Sequence, residues 1–307
     1  MKEILGYIRA YAREVNKPVL IICTLFIATL IWFNYARHLE SWLVYDAGLP
    51  GSGLVGHYLL FLVALLFPYS LLLSRRKDRG FLVTGFVVCA LAAPFIFGLK
   101  MDMTTGFRYS DHDYWNYYWN QVLYWPPRLA VVLALLTIIR RLFCPDPSFY
   151  GLAPQRIKWK AYLLMLLIMV PLIAAASTQP DFLASYPKMK EILPLPHDTK
   201  ADWLFKLFYE LGYGSDFISI EVFFRGFLVI GLARWVGKDA ILPMACFYCT
   251  IHFGKPLGEC ISSYFGGLLL GIVSYHTRSI YGGLMVHLGI AWLMEVGGYL
   301  GNYFYGS

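Results

Sequence analysis

The sequence predicts an all-α fold, a polytopic transmembrane helix bundle of about eight or nine spans, on three observations. Hydrophobic residues make up 58% of the 307-residue chain and charged residues only 15%, against roughly 45–50% and 25% in soluble domains. Uncharged runs such as Pro18–Ala36, Gly80–Leu99 and Ala161–Pro180 are each long enough to cross a hydrocarbon core of about 30 Å as helix. Lys and Arg residues gather at the ends of such runs, where they meet lipid headgroups. The net charge of +7 therefore points to a membrane surface and not to nucleic acid.

Taken in order, the apolar runs place spans near residues 18–36, 54–73, 80–99, 122–139, 161–179, 217–233, 240–254, 260–277 and 280–298. The first follows Lys2, Arg9, Arg13 and Lys17 and lacks a small-residue cleavage site, so it reads as an anchor that stays in the protein. The loop 100–121 is dense in aromatics, including Tyr109, Trp115 and Trp119, as a segment lying at the membrane interface would be. Residues 177–216, with Pro180, Pro187, Pro194 and Pro196, form the longest connection. They divide an N-terminal bundle with its outer loop, residues 1–200, from a C-terminal bundle, residues 201–307, that carries the chemistry. A cytoplasmic N-terminus places sixteen Lys and Arg inside and nine outside, counting Arg128 in the outer part of its span with the latter and leaving Arg225 in a span, which is the orientation the positive-inside rule favours.

Ionisable residues within a span are costly unless paired, so each marks a candidate site. Glu221 and Arg225 stand four apart in Ser219-Ile220-Glu221-Val222-Phe223-Phe224-Arg225-Gly226, with Glu on the N-terminal side, the better order for a helical ion pair. Taken alone, the pair can equally be a lock between helices. His252 closes the run that starts at Ala240, and His287 lies about two turns into the last span. A lone intramembrane His is usually a packing residue. Two near a Glu/Arg pair favour a shared site, because a neutral imidazole can take a proton from water, donate to an oxyanion or bind a metal.

Two further groups compete for attention. Cys246, Cys249 and His252 recur every three residues on one helix face, but zinc sites usually draw ligands from two segments, so small packing residues are the better reading. Glu259 follows the Gly254-Lys255-Pro256 break and either points to the headgroups or turns inward as a second carboxylate beside Glu221. The six cysteines have no framework spacing and are expected to be buried free thiols.

At these residues the sequence resembles the CPBP family, the CAAX proteases and bacteriocin-processing enzymes also called Abi. The first family motif, Glu-Glu-x-x-x-Arg, stands as Ile220-Glu221-Val222-Phe223-Phe224-Arg225. The second, Phe-x-x-x-His, stands as Tyr248-Cys249-Thr250-Ile251-His252, and the third, His-x-x-x-Asn or Asp, as His287-Leu288-Gly289-Ile290-Ala291. The resemblance covers about residues 205–300. It implies an intramembrane endopeptidase in a multi-pass protein of the bacterial inner membrane, acting on a peptide or membrane-protein substrate among membrane lipid. Glu221, helped by His252, would activate water, His287 would serve the oxyanion and Arg225 would hold Glu221 ionised, with Tyr248 and Glu259 as auxiliaries. Cofactors are expected to be none, zinc at His252 and His287 being the minority reading, since catalytic zinc normally takes three protein ligands. Ile220 replaces the family's first Glu and Ala291 its Asn or Asp. The alternative is thus a catalytically silent relative, a membrane scaffold or immunity protein.

Overall fold

Helices α1 (Lys2–Glu14), α2 (Lys17–Arg37) and α3 (Leu39–Ser41) open the chain, and a π-helical turn, Trp42–Asp46, leads toward α4 (Ser52–Leu73) and α5 (Thr84–Asp102). Then come α6 (Asp113–Val122), α7 (Pro126–Leu142), α8 (Trp159–Ala176), α9 (Pro180–Ser185) and a 3-10 turn, Lys188–Ile192. The last third holds α10 (Asp202–Glu221), a π-helical segment (Val222–Gly231), α11 (Ala233–Val236), α12 (Ile241–Thr250), α13 (Leu257–Thr277) and α14 (Tyr281–Tyr305). This computed structural model describes residues 2–48, 52–74, 84–104, 106–145, 148–153, 157–192 and 202–305. The basic run Arg75 to Arg79, and Pro194 and Pro196, lie outside them.

The protein is an all-α membrane bundle. Among the described residues, seven helical stretches are long and apolar enough to cross a bilayer: Lys17–Arg37, Gly53–Leu73, Thr84–Asp102, Asp113–Leu142, Trp159–Ala176, Leu257–Thr277 and Tyr281–Tyr305. Several keep large apolar side chains on the outside, among them Leu25, Trp32, Leu167 and Leu172, as helices solvated by hydrocarbon do. The two other expected spans take a different form. Residues 217–233 cross from α10 into the π segment, and residues 240–254 contain α12, only ten residues long, or about 15 Å. Every residue of α12 is buried, so its apolar character answers to protein neighbours.

Contacts divide the chain into two units. The first comprises Met1–Asp102, Ala134–Ile157 and Glu221–Gly283. Within it α4 packs on α5, and α12 is enclosed by α4, α13 and the π segment. Phe97, Phe223, Phe224 and Phe247 form an aromatic core with edge-on and tilted contacts of 4.9 to 6.0 Å. α1 is held down by Tyr7 stacked on His276 at 4.6 Å and by Glu14 paired with Lys238 at 2.7 Å.

The second unit comprises Met103–Leu133, Lys158–Ile220 and Leu284–Ser307. The aromatic loop contributes α6, whose Tyr118 packs with Val122, Ile192 and Tyr209. On α14, the Glu295 carboxylate accepts from the Lys188 and Met189 N–H groups at 2.7 and 3.1 Å, capping the 3-10 turn.

Candidate active site

Glu221 is the last residue of α10 and Val222 the first of the π segment, so the Glu-x-x-x-Arg spacing crosses the point where the helix widens. A regular α-helical turn is the sequence expectation, and the observed turn is π. Such turns recur at functional positions because they re-aim side chains. The ion pair is kept: Arg225 Nη1 lies 3.2 Å from Glu221 Oε1, and both side chains are 0% exposed. Gly226 follows because a Cβ there would stand 2.7 Å from the Tyr150 carbonyl oxygen.

The guanidinium carbon of Arg225 lies 4.1 Å from the centre of the Tyr248 ring. The buried cation is thus met by a carboxylate and by an aromatic face. Tyr248, from α12, also packs edge-on to His252 with ring centres 4.7 Å apart. His252 Nδ1 lies 2.9 Å from the Tyr248 carbonyl oxygen. A carbonyl only accepts, so Nδ1 is the donor in that bond.

His252 sits in the turn after α12, and α2 pins that turn. Asn34 Nδ2 donates to the Phe253 carbonyl at 3.0 Å and the Tyr35 hydroxyl donates to the Lys255 carbonyl at 2.5 Å, while Asn34 Oδ1 accepts from the Glu40 N–H at 2.9 Å. The Glu40 carboxylate stands 3.9 Å from His57 Nε2, and burial pushes it up to about 7. Sequence reasoning passes over Asn34, Tyr35, Glu40 and His57. Two of them carry a signal, the Asn34 amide and the His57 imidazole, each inside an apolar span.

Glu259 is the third residue of α13 and half-buried, in the first turn, where the helix dipole favours a carboxylate. The Tyr248 hydroxyl lies within electrostatic range of both Glu259 and Glu221. The cysteines are buried and free, as expected. Cys246 meets the thiol of Cys23 and Cys249 that of Cys260, so the two turn to different partners. Among the described residues no three His, Cys, Asp or Glu side chains are placed to hold one metal ion.

In the other unit, His287 packs edge-on to Phe217 with ring centres 4.8 Å apart. Ala291 lies buried with Tyr213 and Phe217, beside Trp125, Leu284 and Leu288. Its methyl fills an apolar cluster where the motif would place an amide or acid. Ile220 is buried in the same unit.

The fold and the buried ionic residues together define an integral membrane protein with a polar centre enclosed by helices. Residues 214–293, from the end of α10 into α14, match the family described as Rce1-like, type II CAAX prenyl endopeptidase. The matched stretch contains Glu221, Arg225, Tyr248, His252, Glu259 and His287. The chain matches no curated protein and no solved structure.

Proposed function

We propose that the protein is an intramembrane endopeptidase that hydrolyses a peptide bond near or within the bilayer, with Glu221 and His252 activating water. The observation that carries this reading is the Glu221–Arg225 pair, fully buried at 3.2 Å inside the stretch that matches the endopeptidase family. Water gives a proton to Glu221 while its oxygen bonds to the peptide carbonyl carbon. His287 serves the oxyanion, which requires that it reach the same peptide. Collapse then breaks the C–N bond, and the departing amine takes the proton from Glu221. Arg225 keeps Glu221 ionised and aimed, and the route uses no metal. The N-terminus faces the cytoplasm of a bacterial inner membrane, and the substrate is a peptide or membrane protein.

A second reading rests on Ile220 and Ala291, which supply neither a base nor an oxyanion donor. It is a silent membrane scaffold or immunity protein that keeps the fold. To separate the two, the purified protein in liposomes is given a farnesylated peptide ending in a Cys-aliphatic-aliphatic-X sequence and its unprenylated counterpart. Cleavage by wild type, lost by about 100-fold or more in Glu221→Gln, supports the peptidase. Cleavage unaffected by that change removes Glu221 from the mechanism, and inert wild type supports the scaffold. Glu259→Gln run alongside tells whether a second carboxylate shares the task.

A further inference from the structure

The two oxygens of Glu221 face different surroundings. Oε1 is turned to Arg225. Oε2 is turned to Gly283, where a Cβ would stand only 2.5 Å from it and 3.9 Å from Ser274 Oγ. Glu221 Oε2 and Ser274 Oγ therefore both lie near one point beside the third residue of α14. The residue before that helix is Ile280, whose side chain can accept no hydrogen bond, and the first N–H of the helix, that of Tyr281, donates to Ser279 Oγ at 3.3 Å.

Ser274 departs from its neighbours. Buried hydroxyls inside helices usually donate to a carbonyl three or four residues back. Ser219 does so to Asp216, Thr250 to Phe247 and Ser263 to Cys260, each at 2.7 Å. The Ser274 side chain is 0% exposed, and its Oγ has no hydrogen-bond partner among the described residues. A buried hydroxyl that makes no bond to its own helix and lies near a carboxylate and the amino end of another helix is placed to bind something small with both donors and acceptors.

We propose that Ser274 and Gly283 complete a water site on Glu221, in which one water is held between Ser274 Oγ and Glu221 Oε2. This deepens the peptidase reading and rests on it for its catalytic meaning. The water donates one hydrogen bond to Oε2, along which its proton passes to the carboxylate. Its oxygen accepts from the Ser274 hydroxyl and keeps a lone pair for the peptide carbonyl. Gly283 leaves room for the water and lets the carboxylate approach the helix end, where the dipole favours its charge. Ser274 is a positioning residue and forms no covalent bond.

The test has a spectroscopic arm and a kinetic arm on the full-length protein in liposomes. Infrared difference spectra between Glu221→Gln and wild type, in H2 16O and H2 18O, are expected to contain an O–H stretch that shifts with the oxygen isotope. It should be missing from the corresponding spectra made with Ser274→Ala and Gly283→Ala, and present with Ser274→Thr, which keeps the hydroxyl. With the farnesylated peptide, Ser274→Ala is expected to lower kcat about tenfold or more with KM unchanged, and Ser274→Thr to restore it. Absence of the band in wild type, or its survival in Ser274→Ala, overturns the water site, and a wild-type kcat in Ser274→Ala overturns the positioning role. If wild type cleaves neither peptide the endopeptidase reading fails, while the isotope-sensitive band still decides whether the water site exists.

Discussion

Arg225 is a full positive charge with no exposure to solvent, and what makes it tolerable is a carboxylate and a ring face. Removing one partner of such a pair costs more than removing both, because the survivor is left charged in a low dielectric. Arg225→Leu should therefore lower stability by about 3–5 kcal/mol, and Glu221→Leu with Arg225→Leu by less, as read from unfolding in detergent. An equal or larger loss in the double variant would show that the two side chains are not coupled. Glu40 gives a pH signature of its own. Its folded value of about 7 lies above the ordinary 4.5, so between these values the folded state holds a proton that the unfolded chain releases. Stability should fall as pH rises through that window, with His57 the ionisable side chain facing the carboxylate. Glu40→Gln should flatten the slope and raise the melting temperature at pH 8; an unchanged slope points elsewhere. Glu221, Arg225, His252 and His287 stood out as candidates in the sequence because each is an ionisable group in an apolar run at a family-motif position, whereas His57, ionisable in an apolar run but outside any motif, did not. Nor did Glu40, Ser274 and Gly283, since a residue between spans, a serine and a glycine acquire meaning only from what packs against them.

At the scale of elements, hydropathy identified the runs but not the medium around them. A helix enclosed by protein is as apolar as one in lipid, which is why α12 and the π segment looked like ordinary spans and proved to be a ten-residue helix and a widened turn. No periodicity rule marks a π turn in advance, because it depends on one residue's worth of extra chain accommodated by neighbours. Gly226 is one such accommodation. Gly226→Ala would set a methyl against the Tyr150 carbonyl, and the expected cost is about 1–3 kcal/mol, seen as a lower melting temperature. Tolerance of alanine without loss would show that the π segment can slide away from Tyr150.

For the whole molecule, the six buried thiols provide a quiet background on which sidedness can be measured. With the N-terminus cytoplasmic, a membrane-impermeant maleimide added outside intact cells should label Arg108→Cys, where the native side chain is exposed, and spare Glu3→Cys until the cells are opened. The reverse pattern would invert the orientation. The tether from α2 has a different kind of consequence. The stretch that matches the peptidase family begins at residue 214, yet the turn bearing His252 is fastened by an amide and a phenol at positions 34 and 35. The matched stretch is therefore not a transplantable cassette. A chimera taking its opening helices from another protein would inherit the histidine without its mooring, unless the donor carried the same two side chains, and changes at positions 34 and 35 constrain those permitted more than two hundred residues on.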